Sequence, residues 1–200
     1  MNDDTKTKGM NNNLIWEVNT KTGIYKTPVF TINDQQAVSP AGEKKSFITV
    51  NAPDWVITVP VLSANDMQKS AGISEPCFLL VKQWRAGENK LSIEFPGGVI
   101  NEGEAPEDAA LRELREETGF KAENCTLLGT MNPNPALFCN TVYFFTATAL
   151  SDIGKPEPDE DEFLQPLVVP IGEVYKKMGR PPYIHALMAA ALYLYGQSDT

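Results

Sequence analysis

A stretch of 23 residues, 98–120, constrains this chain more than any other part of its sequence. It reads GVINEGEAPEDAALRELREETGF and predicts a glycine-rich loop followed by a helix. Pro106 suits the first helical turn, where its missing N–H costs nothing, and Gly119 suits the left-handed conformation that ends many helices. The glycines of the loop 97–103 allow its backbone to approach a metal ion or a phosphate closely.

The acidic residues of this predicted helix share one face. Offsets of three and four residues bring Glu113, Glu116 and Glu117 together, and like charges at such offsets destabilise a helix by roughly a few tenths of a kcal/mol per pair. A hard divalent cation such as Mg²⁺ would remove that penalty, because it prefers oxygen ligands. Arg112 has two structural partners within reach, Glu116 one turn later and Glu104 in the loop, so an orienting role is expected for it.

The charge of the chain excludes some partners. A net charge of −9 and a pI near 4.7 argue against a nucleic-acid surface, which needs a basic stripe. An acidic chain still accepts a phosphate-bearing substrate if a bound metal supplies local positive charge. We find no run of about 18 apolar residues, so no membrane partner is expected.

The cysteines and the first residues indicate a compartment. Cys77, Cys125 and Cys139 show no CxxC spacing, and they are expected to be buried thiols in a reducing environment rather than disulfides or a zinc site. The opening residues, MNDDTKTKGMNNN, lack the apolar core of a signal peptide. The cytoplasm is therefore the expected location.

Three segments are predicted along the chain: a disordered polar tail at 1–13, a small antiparallel β unit at 14–51, and a main domain at 52–200. In the β unit, strands are expected at 14–18, 28–32 and 47–50, with turns at 22–23 and 40–42. In the main domain, strands are expected at 55–62, 76–84, 91–95, 125–130, 141–150 and 163–169, and further helices at 172–178 and 183–195. Pro166 assigns the last strand to an edge or a bulge. This order predicts an α+β fold, an α/β/α sandwich.

The pattern at 98–120 specifies more positions than the charged run of an ordinary surface helix. Its pattern, G-x5-E-x7-R-E-L-x-E-E-x-G-F, resembles the Nudix box at every signature position. The resemblance implies a mixed β-sheet between helices and hydrolysis of the pyrophosphate bond of a nucleoside diphosphate linked to another moiety.

Further segments resemble the ADP-ribose pyrophosphatases of that family. Residues 81–85 (VKQWR) and 94–98 (EFPGG) are similar to the segments that precede the box in those enzymes. The β unit at 14–51 is similar to the one through which relatives form homodimers, so a homodimer is expected. One segment departs from the pattern: Asn132–Asn140 contains no acidic residue where relatives carry "SPGxxxE". ADP-ribose, cleaved to AMP and ribose 5-phosphate, or a related nucleotide sugar is the implied substrate.

The resemblance also implies a metal site for Mg²⁺ or Mn²⁺. Its ligands would be the carbonyl of Gly97 and the carboxylates of Glu113, Glu116 and Glu117, with Glu116 counted among the catalytic residues as well. A general base is then needed, and the acidic loop 159–163 resembles the one that carries it in relatives. The base is either Glu162 or Glu160.

Several residues are candidates for substrate contacts. Arg85 could bind a phosphate or form a surface salt bridge with Glu88 or Glu94. Glu94, beside the glycines, could support the site.

Asn134 or Asn140 could contact a ribose or a phosphate. Phe138 and Trp84 could stack on a base or belong to the core, and His185 is expected to be a packing or interface residue.

Two other functions stay open from the sequence. The chain could be a ligand-binding module that keeps the fold without catalysis, although the intact glutamates argue against this. It could also hydrolyse nucleoside triphosphates or dinucleotides.

Overall fold

The computed structural model describes residues 13–65, 72, 74–158 and 162–198. The predicted tail therefore lies outside the described residues except for Asn13, and so does Glu160. The chain forms two compact units. The first contains the described residues up to Pro53 together with Asn132–Asn140, and the second contains the described residues of Asp54–Met131 and Thr141–Thr200.

The first unit is built on a three-stranded antiparallel sheet in the order β1-β2-β3. Its strands are β1 (Glu17–Lys26), β2 (Thr31–Val38) and β3 (Lys44–Asn51). The turn predicted at 22–23 is wrong, because both residues lie inside β1. The register slips by one residue between Gly23 and Tyr25, and a glycine within a strand often marks such a bulge.

The strand predicted at 28–32 is also misplaced. The Thr27 hydroxyl accepts the N–H groups of Val29 and Phe30, at 3.2 and 2.9 Å, and this turns the chain before β2 begins. The strand predicted at 47–50 lies within β3, and the turn predicted at 40–42 is confirmed.

The second unit contains every strand and helix predicted for the main domain. The strands are β4 (Trp55–Leu62), β5 (Cys77–Arg85), β6 (Lys90–Glu94), β7 (Phe120–Met131), β8 (Val142–Asp152) and β9 (Leu164–Pro170). The helices are α1 (Pro106–Thr118), α2 (Ile171–Lys177) and α3 (Ala186–Gln197). The boundaries differ most at β7, which begins five residues before the prediction, and at α3, which begins three residues after it.

The sheet of this unit is mixed. Its order is β6-β5-β4-β8-β7, with β9 paired to β5. The pair β4–β8 is parallel and the remaining pairs are antiparallel. Among the described strands β9 pairs with β5 alone, so Pro166 lies on an edge strand, where its missing N–H leaves no central ladder incomplete.

Alternating residues of the central strand β4 face opposite layers. Val56 packs with Ala109 and Ala110 of α1, whereas Ile57 and Val59 belong to the core beneath α3. This alternation places helices on both faces of the sheet, which confirms the α/β/α sandwich. None of the helices in the described part of the chain is long and apolar enough to cross a membrane.

Candidate active site

The glycine loop lies against the centre of the sheet. Val56 and Thr58 of β4 donate their N–H groups to the carbonyls of Gly98 and Pro96, both at 2.9 Å. A Cβ on Gly97 would lie 2.2 Å from the Val56 carbonyl oxygen, which excludes any larger residue there. A Cβ on Gly98 would lie 2.5 Å from a carboxylate oxygen of Glu113. The two glycines thus allow the loop to pass between β4 and the acidic face of α1.

Two of the α1 glutamates are buried carboxylates. Glu117 is only 2% exposed, and its Oε2 accepts the N–H of Gly97 at 3.0 Å. Burial raises the pKa of Glu117 to about 8 against the opposing effect of the Gly97 hydrogen bond, and the negative charges of Glu113 and Glu162 raise it further. Burial also raises the pKa of Glu113, although Arg112 opposes that shift. This side of α1 therefore holds more negative charge than its surroundings neutralise.

Arg112 organises the exposed side of the same cluster. Its Nε and Nη2 donate to the two carboxylate oxygens of Glu104, at 2.8 and 3.0 Å. Its Nη1 donates to Glu113 at 2.8 Å and to Glu116 at 3.2 Å, and Nη2 donates to the Val99 carbonyl at 3.0 Å. Both partners predicted from the sequence, Glu104 and Glu116, are confirmed. Five contacts engage the full donor capacity of a guanidinium.

Arg85 and Glu94 form a second ion pair. Arg85 Nε lies 3.1 and 3.3 Å from the two Glu94 oxygens, and Nη2 lies 2.8 Å from Oε2. Glu94 is 1% exposed, whereas the Arg85 side chain is 45% exposed. Of the two salt-bridge partners proposed from the sequence, the structure thus shows Glu94. A planar fork on a buried carboxylate holds the guanidinium in one orientation.

Glu162 interacts with the same site from the segment before β9. The ladder between β5 and β9 ends at the pair Gln83–Leu164, and Glu162 comes two residues before Leu164. The carboxylate of Glu162 acts electrostatically on Arg85, Glu113 and Glu117. Glu162 itself is exposed and is therefore open to solvent.

The carboxylates of this site offer oxygen ligands for a cation, but they are not yet arranged around an ion position. In the part of the chain that the structure describes, no three His, Cys, Asp or Glu side chains are grouped so that they could hold a metal ion as they stand. Arg112 and the Gly97 N–H already engage oxygens of Glu113, Glu116 and Glu117. The site is chemically suited to binding cations beside phosphates, because it joins anionic oxygens to a phosphate-binding type of side chain, Arg85.

A family model described as the NUDIX domain matches residues 56–189. The chain belongs to the Nudix family. The match spans the sheet from β4 onward and all of the carboxylates described above.

Sequence relatives and a solved structure agree with this. The chain is 31% identical over 172 residues to the ADP-sugar pyrophosphatase of Mus musculus, covering 80% of this chain and 76% of that protein. It is 37% identical over 99 residues to the ADP-ribose pyrophosphatase of Bacillus subtilis, covering 49% and 54% of the two chains. The crystal structure of an ADP compounds hydrolase has a TM-score of 0.76 at 22% identity, covering 91% and 92% of the two chains, and supports the fold. The chain is therefore a pyrophosphatase of the Nudix type.

The remaining residues predicted for substrate contacts have the following surroundings. Asn134 and Phe138 belong to the first unit, where the Asn134 side chain accepts the N–H of Ala136 at 3.3 Å. Asn140 is buried and donates to the carbonyl of Pro53 at 3.0 Å, so it supports the loop. Trp84 is 55% exposed, which contradicts a place in the core.

One residue of the Nudix site was missed from the sequence. His185 was interpreted as a packing or interface residue, but its Nδ1 lies 3.3 Å from Oε2 of Glu94. The segment before it runs along the edge of β6, where Ile93 donates its N–H to the carbonyl of Pro182 at 2.9 Å. No spacing rule relates two residues so far apart in sequence, so no sequence signal predicted this contact.

Proposed function

We propose that this Nudix enzyme hydrolyses the pyrophosphate bond of ADP-ribose or a related ADP-sugar, releasing AMP and, from ADP-ribose, ribose 5-phosphate. The observation that carries the proposal is the convergence of Glu113, Glu117 and Glu162 beside Arg85. Such a bond is hard to break because its negative charge repels the attacking oxygen and the leaving group. A site for this reaction must therefore combine cation binding with a base.

The carboxylates fit a hard divalent cation, and we propose Mg²⁺, which Mn²⁺ could replace. Their donors are all oxygens, and burial with mutual repulsion raises the pKa of both Glu113 and Glu117, a cost that a cation would relieve. Glu113, Glu116 and Glu117 would hold it with the carbonyl of Gly97. When bound, the cation polarises phosphoryl oxygens and lowers the pKa of a bound water.

Glu162 is the residue that we assign as the general base. It is exposed and acts electrostatically on Arg85, Glu113 and Glu117. Its carboxylate would take the proton from the attacking water. Glu160 is the other candidate from the sequence and lies outside the described residues. We favour Glu162 because its interaction with the other charged residues of the site is described.

Arg85 is the residue that we assign to phosphate binding. Glu94 occupies its Nε and one hydrogen of Nη2, so the edge formed by Nη1 and the second Nη2 hydrogen can donate to a phosphoryl oxygen. This refines the phosphate contact expected from the sequence, because it specifies which edge of the guanidinium would be used.

The ADP-linked substrate is supported by the names of the relatives, an ADP-sugar pyrophosphatase and an ADP-ribose pyrophosphatase. For Asn134 and Phe138 we retain contacts with the sugar or the base as a proposal. The segment Asn132–Asn140 lacks an acidic residue. A substrate panel should therefore vary the sugar more widely than the ADP part.

We also propose a homodimer formed through the first unit. Strand β1 is exposed along its whole length, and this unit exposes an unusual number of large apolar side chains: Leu14, Ile15, Val18, Ile24, Tyr25, Val29 and Ile48. Sedimentation equilibrium would show a dimer that Val18→Asp dissociates; a monomeric wild-type protein would reject the proposal. The cytoplasm is our proposed location, supported by Cys77, Cys125 and Cys139, which form no disulfide. The burial expected for these thiols is confirmed for Cys77 and wrong for the other two, since Cys125 is partly exposed and Cys139 is exposed.

The reaction is tested by the release of AMP from ADP-ribose with and without Mg²⁺. We expect AMP in the presence of Mg²⁺ and none after chelation. A panel of sugar nucleotides, dinucleotides and nucleoside triphosphates would rank the substrates. Tight binding without turnover of any nucleotide would reject the proposal in favour of a binding module, and a preference for triphosphates would reject the ADP-sugar assignment.

A further inference from the structure

The Arg85–Glu94 pair has a third member, His185. Its Nδ1 lies 3.3 Å from the same oxygen, Glu94 Oε2, that accepts from Arg85 Nη2 at 2.8 Å. Glu94 is thus held between a guanidinium from β5 and an imidazole from the start of α3. The three residues come from three separate elements, so their meeting depends on the fold.

The segment that carries His185 is fixed to the edge of the sheet. Ile93 donates to the Pro182 carbonyl at 2.9 Å, and Gly179 donates to the Tyr183 carbonyl at 2.8 Å. Tyr183 itself is buried in the core. The position of the imidazole is therefore set by backbone contacts that do not involve its own side chain.

The His185 side chain does not serve its own helix. It stands at the N-cap position of α3 but makes no side-chain hydrogen bond to the helix, although that is the usual role of a polar residue there. The imidazole is 31% exposed, and its Nδ1 faces Oε2 of Glu94 at 3.3 Å. The polar edge of the imidazole thus faces the Arg85–Glu94 pair and not the backbone of α3.

Glu94 is ionised in this arrangement. Its burial alone would raise the pKa, but the Arg85 guanidinium outweighs burial, and the net pKa is lowered. Burial lowers the pKa of His185, so near neutral pH the imidazole faces Glu94 as a neutral ring. A buried, ionised carboxylate needs several donors to stay in one rotamer. Loss of one donor frees it to rotate, and the guanidinium bound to it then moves as well.

We propose that His185 is a positioning residue of this Nudix enzyme: it fixes the Glu94 carboxylate, and Glu94 in turn holds the outer edge of Arg85 toward the substrate phosphate. This rests on the proposed function, since it assigns Arg85 to the phosphate. His185 itself touches no substrate, so its removal should weaken phosphate binding and leave the chemical step nearly unchanged.

Two substitutions separate this role from simple packing. His185→Asn keeps an N–H group near the position of Nδ1, whereas His185→Leu fills similar space without a donor. We expect His185→Leu to raise KM for ADP-ribose by about fivefold, the size expected for the loss of one polar contact to a charged group in a partly exposed site. We expect kcat to change by less than about twofold, and His185→Asn to stay near wild type, since the donor is kept.

Leu187→Ala is the matched control. Leu187 is a partly buried residue of the same helix that packs on the core, so its truncation should lower the Tm without raising KM. The double variant Arg85→Ala/His185→Leu completes the test, because KM should not rise beyond that of Arg85→Ala if His185 acts through Arg85. Additive effects on KM, or equal KM values for the Leu and Asn variants, would overturn the inference.

Calorimetric binding of inorganic pyrophosphate in the presence of Mg²⁺ tests the positioning role of His185 separately from the proposed hydrolysis of ADP-sugars. If the wild-type enzyme binds pyrophosphate and His185→Leu weakens that binding while His185→Asn does not, the positioning role stands even in a protein that hydrolyses no ADP-sugar. If ADP-ribose is hydrolysed but neither KM nor the pyrophosphate Kd responds to His185→Leu, the proposed function stands and the positioning role is rejected.

Discussion

Two arginines of this Nudix enzyme lie beside acidic residues and are used in different ways. Arg112 directs its donors to Glu104, Glu113, Glu116 and the Val99 carbonyl, all within the box and its loop. Arg85 directs one edge to Glu94, and its side chain is nearly half exposed. The first guanidinium is enclosed by protein acceptors, and the second retains donors for a ligand.

This difference gives the two arginines different roles: Arg112 holds protein groups in place, and Arg85 is available to the substrate. A guanidinium with every donor satisfied by protein groups holds those groups in place, which suits Arg112 to orienting the carboxylates. A guanidinium fixed on one edge has little conformational freedom left to lose when it binds a phosphate. The surroundings of the two arginines meet at Glu117, whose buried carboxylate lies between the α1 cluster and the charges of Arg85 and Glu162.

The largest effect is expected at Glu117. Glu117→Gln removes one ligand charge and keeps the shape, so Mg²⁺-dependent kcat should fall by about a thousandfold while the fold persists. Glu107→Gln, an exposed first-turn residue of the same helix, is the control and should leave kcat unchanged. Steady-state rates with ADP-ribose measure both, and a Glu117→Gln enzyme within threefold of wild type would show that the site is assigned wrongly.

The next effect distinguishes the two loop glutamates. Glu162→Gln should lower kcat by about a hundredfold or more, since a general base contributes at least that much. Glu160→Gln removes the same charge from the same loop and should retain kcat within about threefold, because only a positioned base accelerates proton transfer. A larger loss of kcat in Glu160→Gln than in Glu162→Gln would show that Glu162 is assigned wrongly as the base.

Much of this could be predicted from the sequence because its signals are local. The start of α1 at Pro106 and its end at Gly119, with φ of 73°, follow from those two residues and their neighbours. The Arg112 contacts were predictable for the same reason, since Glu104 and Glu116 lie within eight residues of it.

The features that sequence patterns missed depend on distant pairings or on single side-chain bonds. The Thr27 hydroxyl forms a turn where a strand was predicted, and the bulge after Gly23 continues a strand through a predicted turn. The interaction of Glu162 with Arg85 and Glu117 brings together residues that are far apart in sequence, and no local signal predicts it. His185 contacts Glu94 because the segment before His185 runs along the edge of β6. That course of the chain cannot be inferred from the local sequence.

The metal-free protein should lose stability with rising pH. The pKa of Glu117 is about 8 in the folded chain against an ordinary value of 4.5, so between these values the folded state binds more protons than the unfolded state. The free energy of unfolding contributed by Glu117 therefore falls as the pH rises through this window. Thermal unfolding with chelator should show a Tm that decreases from pH 5 to pH 8 by about a few degrees, and Mg²⁺ should restore it at pH 8. In Glu117→Gln both changes should be smaller.

The contrast between the two arginines is tested most directly by KM for ADP-ribose in two matched lysine variants. A lysine keeps the charge but loses the fork of donors. Arg85→Lys should raise KM by about tenfold, since it loses a charge-assisted contact to the phosphate. Arg112→Lys should change KM by less than about threefold and instead lower the Tm by about 4–8 °C, as its hydrogen bonds within the protein are lost. An unchanged KM in Arg85→Lys, or an equal rise in both variants, would contradict the account.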